Sequence, residues 1–366
     1  MPLLGDFATQ CSILNIGIMK ILAFETSCDE TGIALLEGEK IQGGFVFETL
    51  KSALLSQAAL HAPYGGVFPN LAKREHEKNL PILYKEFKPE HADAVAVTHG
   101  PGLEPALWQG VEFAKRVSTE RGVPLLPVNH MEAHLISSLV QHGELKNIRL
   151  PVLALLISGG HTEFVLMKEW FTYEVVGRTL DDAVGECFDK VARLLGLPYP
   201  GGPEISRLAS NARSKTERPI PKLKLPRPML QSGTCDMSFS GLKTAVLYAL
   251  RGKQLTEDEK VEFALEFEEA VADVFCSKTQ RALQETRAQT FVIGGGVAAN
   301  EYLRSRLQKL IAEEFSEVEL RLPDPSITGD NAIMIAECAL VRALSGLNDA
   351  TGPATLRAVG NLSLAG

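Results

Sequence analysis

Two distant stretches of this chain repeat one shape. Ile21-Leu22-Ala23-Phe24 leads into the polar turn Glu25-Thr26-Ser27-Cys28-Asp29-Glu30-Thr31-Gly32 and returns as Ile33-Ala34-Leu35-Leu36. About 130 residues later, Val152-Leu153-Ala154-Leu155-Leu156-Ile157 leads into Ser158-Gly159-Gly160-His161-Thr162 and returns as Phe164-Val165-Leu166-Met167. Each is an apolar strand, a turn and a returning strand. Two copies so far apart predict an internal duplication with one hairpin in each of two lobes. Chance likeness of two hairpins is the competing explanation.

The segments between and after them alternate strand with helix. Ala94-Val95-Ala96-Val97 reads as a strand running into Thr98-His99-Gly100-Pro101-Gly102, and the next helix carries Leu107, Val111, Ala114 and Val117 on one face. Leu125 to Val128 is a short strand feeding a helix whose Leu135, Ile136 and Leu139 face a core. A helix from Phe188 to Leu195 stops at Gly196, and Tyr199-Pro200-Gly201-Gly202-Pro203 reads as a tight loop. A long helix over 258–288 precedes the strand Phe291-Val292-Ile293, the glycine turn Gly294 to Asn300, and a helix with Leu303, Leu307 and Leu310 on one face. Asp324 to Asn331 then leads into an apolar helix from Ala332 to Leu344. This alternation predicts an α/β fold on mainly parallel sheets.

Composition narrows the classes. The 366 residues are enough for two lobes, and 45% hydrophobic with 22% charged is ordinary for a globular chain. A net charge of −8 excludes gripping nucleic acid by overall charge. The exception is residues 213–228, where Arg213, Lys215, Arg218, Lys222, Lys224 and Arg227 face Glu217 alone, among four prolines. That stretch is a solvated connector or a contact for RNA phosphates. The six cysteines show no CxxC and no disulfide-like spacing, so they read as reduced thiols in a cytoplasmic enzyme. No apolar run approaches the length of a membrane span. Residues 1–18 lack Lys and Arg and read as a dispensable extension before Met19. The expected organisation is lobe I over 19–150 joined by a C-terminal segment of about 320–350, lobe II over 151–319, and a tail over 351–366.

Chemistry-bearing residues gather at Asn129-His130-Met131-Glu132-Ala133-His134. Histidines four apart on a helix lie about 40° from each other round the axis, so both rings can reach one divalent metal. Glu132 sits about 200° from His130 and points away. That argues against a displaced HExxH protease site, whose Glu must act on metal-bound water. An ordinary helix start with two unrelated histidines would look the same. Asp330, opening a later helix, is either an N-cap or the carboxylate of a two-His, one-carboxylate set. Such a set leaves positions open for substrate and suits Fe2+ or a similar divalent ion. The glycine turns could let backbone N–H groups approach phosphates, or could serve tight turns alone. Asn300 could hydrogen-bond a ribose or base, or cap a helix. Lys73, Arg74, His76, Asp182 and Glu186 read as surface or helix-end charges.

Ten segments then come in one family's order. They are Glu25 to Thr31, Gly65-Gly66-Val67-Phe68-Pro69, Gly100-Pro101-Gly102-Leu103, Asn129 to His134 and Ser158 to Thr162. Asp181-Asp182-Ala183-Val184-Gly185-Glu186, Tyr199 to Pro203, Phe239-Ser240-Gly241-Leu242-Lys243-Thr244, Gly294 to Asn300 and Gly329-Asp330-Asn331 complete the set. From about Met19 to residue 345 the chain resembles the bacterial TsaD proteins, the tRNA threonylcarbamoyladenosine transferases. The resemblance implies an actin-like, sugar-kinase-like (ASKHA) fold of two duplicated ribonuclease-H-like lobes around a nucleotide cleft. It implies transfer of threonylcarbamoyl from threonylcarbamoyl-AMP to N6 of adenosine 37 in tRNAs reading codons that begin with adenosine.

By the same resemblance His130, His134 and Asp330 bind the metal, Fe2+ in the usual description, with Zn2+ or Mg2+ as other ions such a set takes. Leu156, Ile157, Ser158, Gly159, Gly160, Asp189, Gly202 and Asn300 contact the adenylate, and Ser27, Asp29 and Glu30 line the cleft as catalytic residues. The implied partners are tRNA and TsaB-like and TsaE-like proteins, with a TsaC-like adenylate-forming enzyme upstream. Glu104-Pro105-Ala106, Trp108-Gln109 and Lys73-Arg74-Glu75-His76 depart from the family's usual pattern, which bears on the contacts of those loops. A metalloendopeptidase (the family's older glycoprotease label), an actin-like kinase or ATPase and a non-catalytic paralogue are the rival readings. Glu132 argues against the first, and the two-His, one-carboxylate set against the other two.

Overall fold

The computed structural model describes residues 17–214, 223–347 and 350–364. The expected N-terminal extension lies outside them up to residue 16, as do residues 215–222 of the basic stretch.

The first sheet begins with β1 (Ile18–Glu25), β2 (Glu30–Ile41) and β3 (Gly44–Ser56), an antiparallel meander. Helices α1 (Ala58–His61) and α2 (Pro69–Phe87) follow, and then β4 (Ala94–Gly100), α3 (Glu104–Arg121), β5 (Leu125–Asn129), α4 (His130–Leu139) and β6 (Glu144–Lys146). β4 lies parallel to β1 and β5 parallel to β4, which gives the order β5-β4-β1-β2-β3-β6.

The second sheet repeats the plan. β7 (Val152–Ile157), β8 (Thr162–Glu169) and β9 (Thr172–Arg178) form its meander. After α5 (Val184–Leu194), α6 (Gly201–Arg213), α7 (Ser240–Leu250) and α8 (Glu257–Thr286) comes β10 (Thr290–Gly294), parallel to β7. α9 (Glu301–Glu314) leads to β11 (Glu319–Arg321), parallel to β10, and α10 (Ala332–Leu344) closes the set. The order β11-β10-β7-β8-β9 matches β5-β4-β1-β2-β3 strand for strand. The two hairpins read from the sequence are therefore the same element of a duplicated, actin-like fold.

Helices α4 and α10 lie between the sheets. Their Met131, Leu135, Ile136, Ile335 and Leu340 share one apolar cluster with Ile21 and Ala23 of β1 and with Ala154, Leu156 and Val292 of the second sheet. Close approach of the second sheet to α4 needs glycine at 294, where a Cβ would stand 2.6 Å from Ser138 Oγ and 3.1 Å from the His134 carbonyl oxygen. The next residue, Gly295, has φ +88°, and its Cβ would lie 2.4 Å from the Ile157 oxygen. The long helix starts where its sequence says it should. Thr256 and Glu259 form a capping box, each side chain bonding the other's backbone N–H.

The last described stretch is strapped to the first lobe. Val359 N–H donates to His99 O at 2.8 Å, Gly102 N–H to Gly360 O at 3.0 Å, and Leu356 and Ala358 are buried.

Candidate active site and metal centre

The chain enters α4 from β5, and Asn129 caps it by accepting from the amides of Met131 and Glu132 at 2.9 and 3.2 Å. That places His130 and His134 on one buried face, with ring centroids 4.6 Å apart. Asp330 arrives from the start of α10. Its Oδ1 lies 3.1 Å from His134 Nε2 and 3.4 Å from His130 Nε2. The N-cap of α10 is not Asp330 but Asn331, which accepts from Met334 N–H at 3.0 Å. The capping role proposed for Asp330 thus belongs to its neighbour, and the Asp330 carboxylate is free to turn inward.

These three residues offer ligand atoms that all lie within 4.8 Å of one another. On its far side His130 Nδ1 is 3.2 Å from Oε2 of Glu25, which is fully buried and also accepts from Thr98 Oγ1 and Ser27 N–H at 2.5 Å. A carboxylate behind a metal-facing imidazole fixes the ring and its tautomer. Sequence reasoning left Glu25 in a polar turn. The available signal was a carboxylate at the buried end of an otherwise apolar strand.

Burial works against charge on His130, yet the carboxylates of Asp330 and Glu25 outweigh it and push its pKa up to about 10. Burial alone would raise Asp330, but His130 and His134 hold it well below the usual carboxylate range. Burial keeps His134 below its ordinary value. The site balances two carboxylates with a proton on His130. A divalent cation meets the same charges and releases that proton, so the donor set fits a metal.

Glu132 takes no part in this centre. Its Oε1 accepts from Tyr173 OH at 2.7 Å and from Arg342 Nη1 at 2.6 Å. Glu132 thus points away from the metal-facing side of α4, as helix geometry predicts.

The acidic first turn lies beside the centre. Asp29 is buried, and burial together with the charges of Asp29 and Asp330 pushes Glu30 up to about 9. Ser27 Oγ is buried with no hydrogen-bond partner among the described residues. The turn is clasped from behind by His76 of α2, whose Nε2 lies 3.0 Å from Cys28 O and whose Nδ1 lies 2.8 Å from Thr31 Oγ1. His76 is fully buried and so is not the surface charge its spacing suggested. Burial, and the charge on His130, push His161 down to about 4, which leaves a neutral imidazole at this edge of the cleft.

The second lobe supplies a cavity of about 760 Å³ lined by Gly159, Asp189, Gly202, Ser206, Glu268 and Asn300, among others. Four of the expected adenylate contacts therefore meet in one place. Gly160 is exposed on the same turn, and Ser158 Oγ is engaged by His161 N–H at 3.1 Å. Leu156 and Ile157 are fully buried side chains of β7, so only their backbone could meet a ligand. Gly201 and Gly202 are not in a loop but in the first turn of α6, where Asp189 Oδ1 accepts from Gly201 N–H at 2.7 Å. Asn300 caps α9 through Leu303 N–H and donates to Ser206 Oγ and Glu268 Oε1, so its side chain is already engaged. Burial, and with it the charge of Asp29 in the first lobe's acidic turn, raises Asp189 and Tyr199.

In the described part of the basic stretch Lys224 is exposed, and the two arginines are held in ion pairs. Arg213 pairs with Glu268, and Arg227 pairs with Glu266 and with Asp273 at 2.9 Å. Asp182 and Glu186 are helix-end charges as expected, each paired with Lys190. Among the described residues no helix is long and apolar enough to cross a membrane.

Comparison with known proteins identifies the family. The family model described as TsaD, tRNA N6-adenosine threonylcarbamoyltransferase, matches residues 48–337. The enzyme of that name from Thermosipho africanus is 41% identical over 352 residues, covering 94% of this chain and 100% of its own. That of Aromatoleum aromaticum is 42% identical over 342 residues, covering 92% and 95%. Among solved structures, full-length HypF in its phosphate- and nucleotide-bound form gives a TM-score of 0.54 at 13% identity. It covers 91% of this chain, which spans only 47% of HypF, and the likeness is one of fold alone.

Proposed function

The chain belongs to the TsaD family of tRNA N6-adenosine threonylcarbamoyltransferases and takes part in forming threonylcarbamoyladenosine in tRNA, and from that premise we propose how its cleft divides the work. The acceptor is N6 of adenosine 37 in tRNAs whose codons begin with adenosine, and the donor is threonylcarbamoyl-AMP. One observation carries the reading: Asp330 joins His130 and His134, while Gly159, two residues before the His161 that feels the His130 charge, lines a cavity of about 760 Å³.

The donor is a mixed anhydride and already activated, so the protein needs no nucleophile of its own. Its adenosine and phosphate lie in the second lobe, with the N–H groups of the Ser158-Gly159-Gly160 turn toward the phosphate and Asp189, Gly202 and the Asn300 region around the nucleoside. Leu156 and Ile157 contribute backbone only. His130, His134 and Asp330 hold the metal, which we take to be Fe2+ over Zn2+ or Mg2+. When bound, it supplies a Lewis acid that orients and polarises the threonylcarbamoyl group.

Ser27, Asp29 and Glu30 meet the incoming amine and the departing phosphate. Because Glu30 keeps its proton at neutral pH, it can donate to a phosphate oxygen that a second carboxylate would repel. The orphaned Ser27 hydroxyl has a hydrogen bond to give to the same groups. The N6 amine attacks the carbamoyl carbon, the bond to the phosphate oxygen breaks and AMP leaves, and the proton shed by N6 passes to the Asp29 carboxylate. Holding both reactants in register supplies much of the rate. An acidic chain working on tRNA in the cytoplasm is served by TsaB-like and TsaE-like partners, with a TsaC-like enzyme making the donor.

The test is reconstitution with threonine, bicarbonate, ATP, the adenylate-forming enzyme and tRNA, scoring modified adenosine with and without each partner. Transfer by wild type that is lost in His130→Ala supports the reading. Full transfer by a metal-free His130→Ala/His134→Ala enzyme overturns the metal's role.

A further inference from the structure

Glu132 is the one charged residue of the α4 metal segment that the reaction does not use, yet it is almost fully buried, at 4% exposure. Its carboxylate oxygen collects two donors, Tyr173 OH at 2.7 Å from β9 and Arg342 Nη1 at 2.6 Å from the far end of α10. The Arg342 guanidinium also lies 5.1 Å from the centre of the Phe171 ring. Three elements from both lobes thus converge on one oxygen.

The placement relative to the metal ligands is what matters. α10 meets α4 at two points. At its start, Asp330 reaches His130 and His134, and near its end Arg342 reaches Glu132 on the opposite flank of α4. The helical rise puts those points about 18 Å apart along the direction of α10. A rotation of α10 of about 5° around the Arg342 end would move Asp330 by roughly 1.5 Å, more than the ~0.5 Å within which a metal or catalytic constellation must be held. The apolar contacts between the helices resist separation, but they are non-directional and fix a crossing angle weakly. A buried ion pair with two fixed donors is directional, and its retention in a buried interface is understandable as a register device.

We propose that Glu132 is a positioning residue, whose bond to Arg342, steadied by Tyr173, sets the crossing of α4 and α10 and so the alignment of Asp330 with His130 and His134. This rests on the reading of those three residues as a metal centre.

The test is a Co2+ titration of the full chain, read by d–d absorption beside far-UV circular dichroism and thermal melting. Two variants are compared with wild type. Glu132→Gln keeps the shape and the acceptor oxygen but loses the charge. Glu132→Leu/Arg342→Met removes both charges of the pair, so neither of the two is left buried without the other. The expected result is a Co2+ affinity about tenfold weaker in each, with an altered absorption band while the protein stays folded. Wild-type affinity and an unchanged band in the folded double variant overturn the proposal. If wild type takes up no Co2+, the metal reading itself fails. Transfer kinetics then decide the positioning claim, which an unchanged kcat and KM in the double variant overturn and a kcat about tenfold lower upholds.

Discussion

Asn331 accepts the Met334 amide at 3.0 Å, and by capping α10 it releases its neighbour Asp330 to stand 3.1 Å from His134. Two adjacent short polar residues compete for one helix end, and the outcome decides whether Asp330 joins His130 and His134. Asn331→Ala should cost about 1 kcal/mol of stability. It should also weaken metal binding although residue 331 touches no metal, because Asp330 is then drawn toward the vacated cap. A metal titration beside a thermal melt measures both effects, and wild-type metal affinity in Asn331→Ala would remove the coupling.

Loss of a ligand should be far more severe than loss of a cap. His130→Ala and His134→Ala are each expected to lower metal affinity by more than about a hundredfold and to abolish transfer. Far-UV circular dichroism should stay that of wild type, since the apolar side chains of α4 that pack between the sheets are untouched. A variant with neither imidazole that still carries stoichiometric metal would place the centre elsewhere.

Glu30 should behave as a protonated group in catalysis. Burial and the neighbouring Asp29 and Asp330 charges raise it to about 9, so it keeps its proton below that pH and loses it above. Wild-type kcat/KM is expected to fall as the pH rises through about 9. Glu30→Gln, which keeps a donor and cannot ionise, should retain transfer near neutral pH and lack that alkaline limb. The same limb in both enzymes would assign it to another group.

Glu337 offers a stability test independent of the reaction. It lies buried in α10, one of its oxygens has no partner among the described residues, and burial pushes its pKa from 4.5 up to about 7. Between those values the unfolded chain gives up a proton that the folded protein keeps, so stability must fall as pH rises across that window. The loss is about 3 kcal/mol and is complete above pH ~7. Glu337→Gln should flatten this slope in denaturant unfolding measured from pH 4.5 to 8. An equally steep slope in the variant would show that Glu337 is not its source.

Much of this was legible in the residues, and the failures have physical causes. Hairpin periodicity gave the duplication because strand and turn signals are local. The i,i+4 histidines and the outward Glu132 followed from helix geometry alone. Glu25, His76, Tyr173 and Arg342 escaped because each matters through a partner distant in sequence, as His130 is from Glu25 at a separation of 105 positions. Asp330 and Asn331 could not be separated, since either can cap a helix and only the tertiary position of α4 favours one. Gly201 and Gly202 read as a loop because their composition is that of a turn. Asp189, one helix earlier, satisfies the amide that lets α6 begin there.

The placement of α10 also bears on how the molecule comes off the ribosome. The strands of the first sheet are complete by Lys146, but the helix that covers their inner face spans Ala332–Leu344. At ordinary translation speeds that leaves the inner face of β1 and β2 without its final cover for on the order of ten seconds or more. During that interval neither β1 nor the newly made α4 can reach its final packing, and Asp330 has not yet been synthesised. The amino-terminal lobe is therefore the last to be finished, and a nascent chain stalled before residue 330 should be a substrate for chaperones and unable to hold a metal.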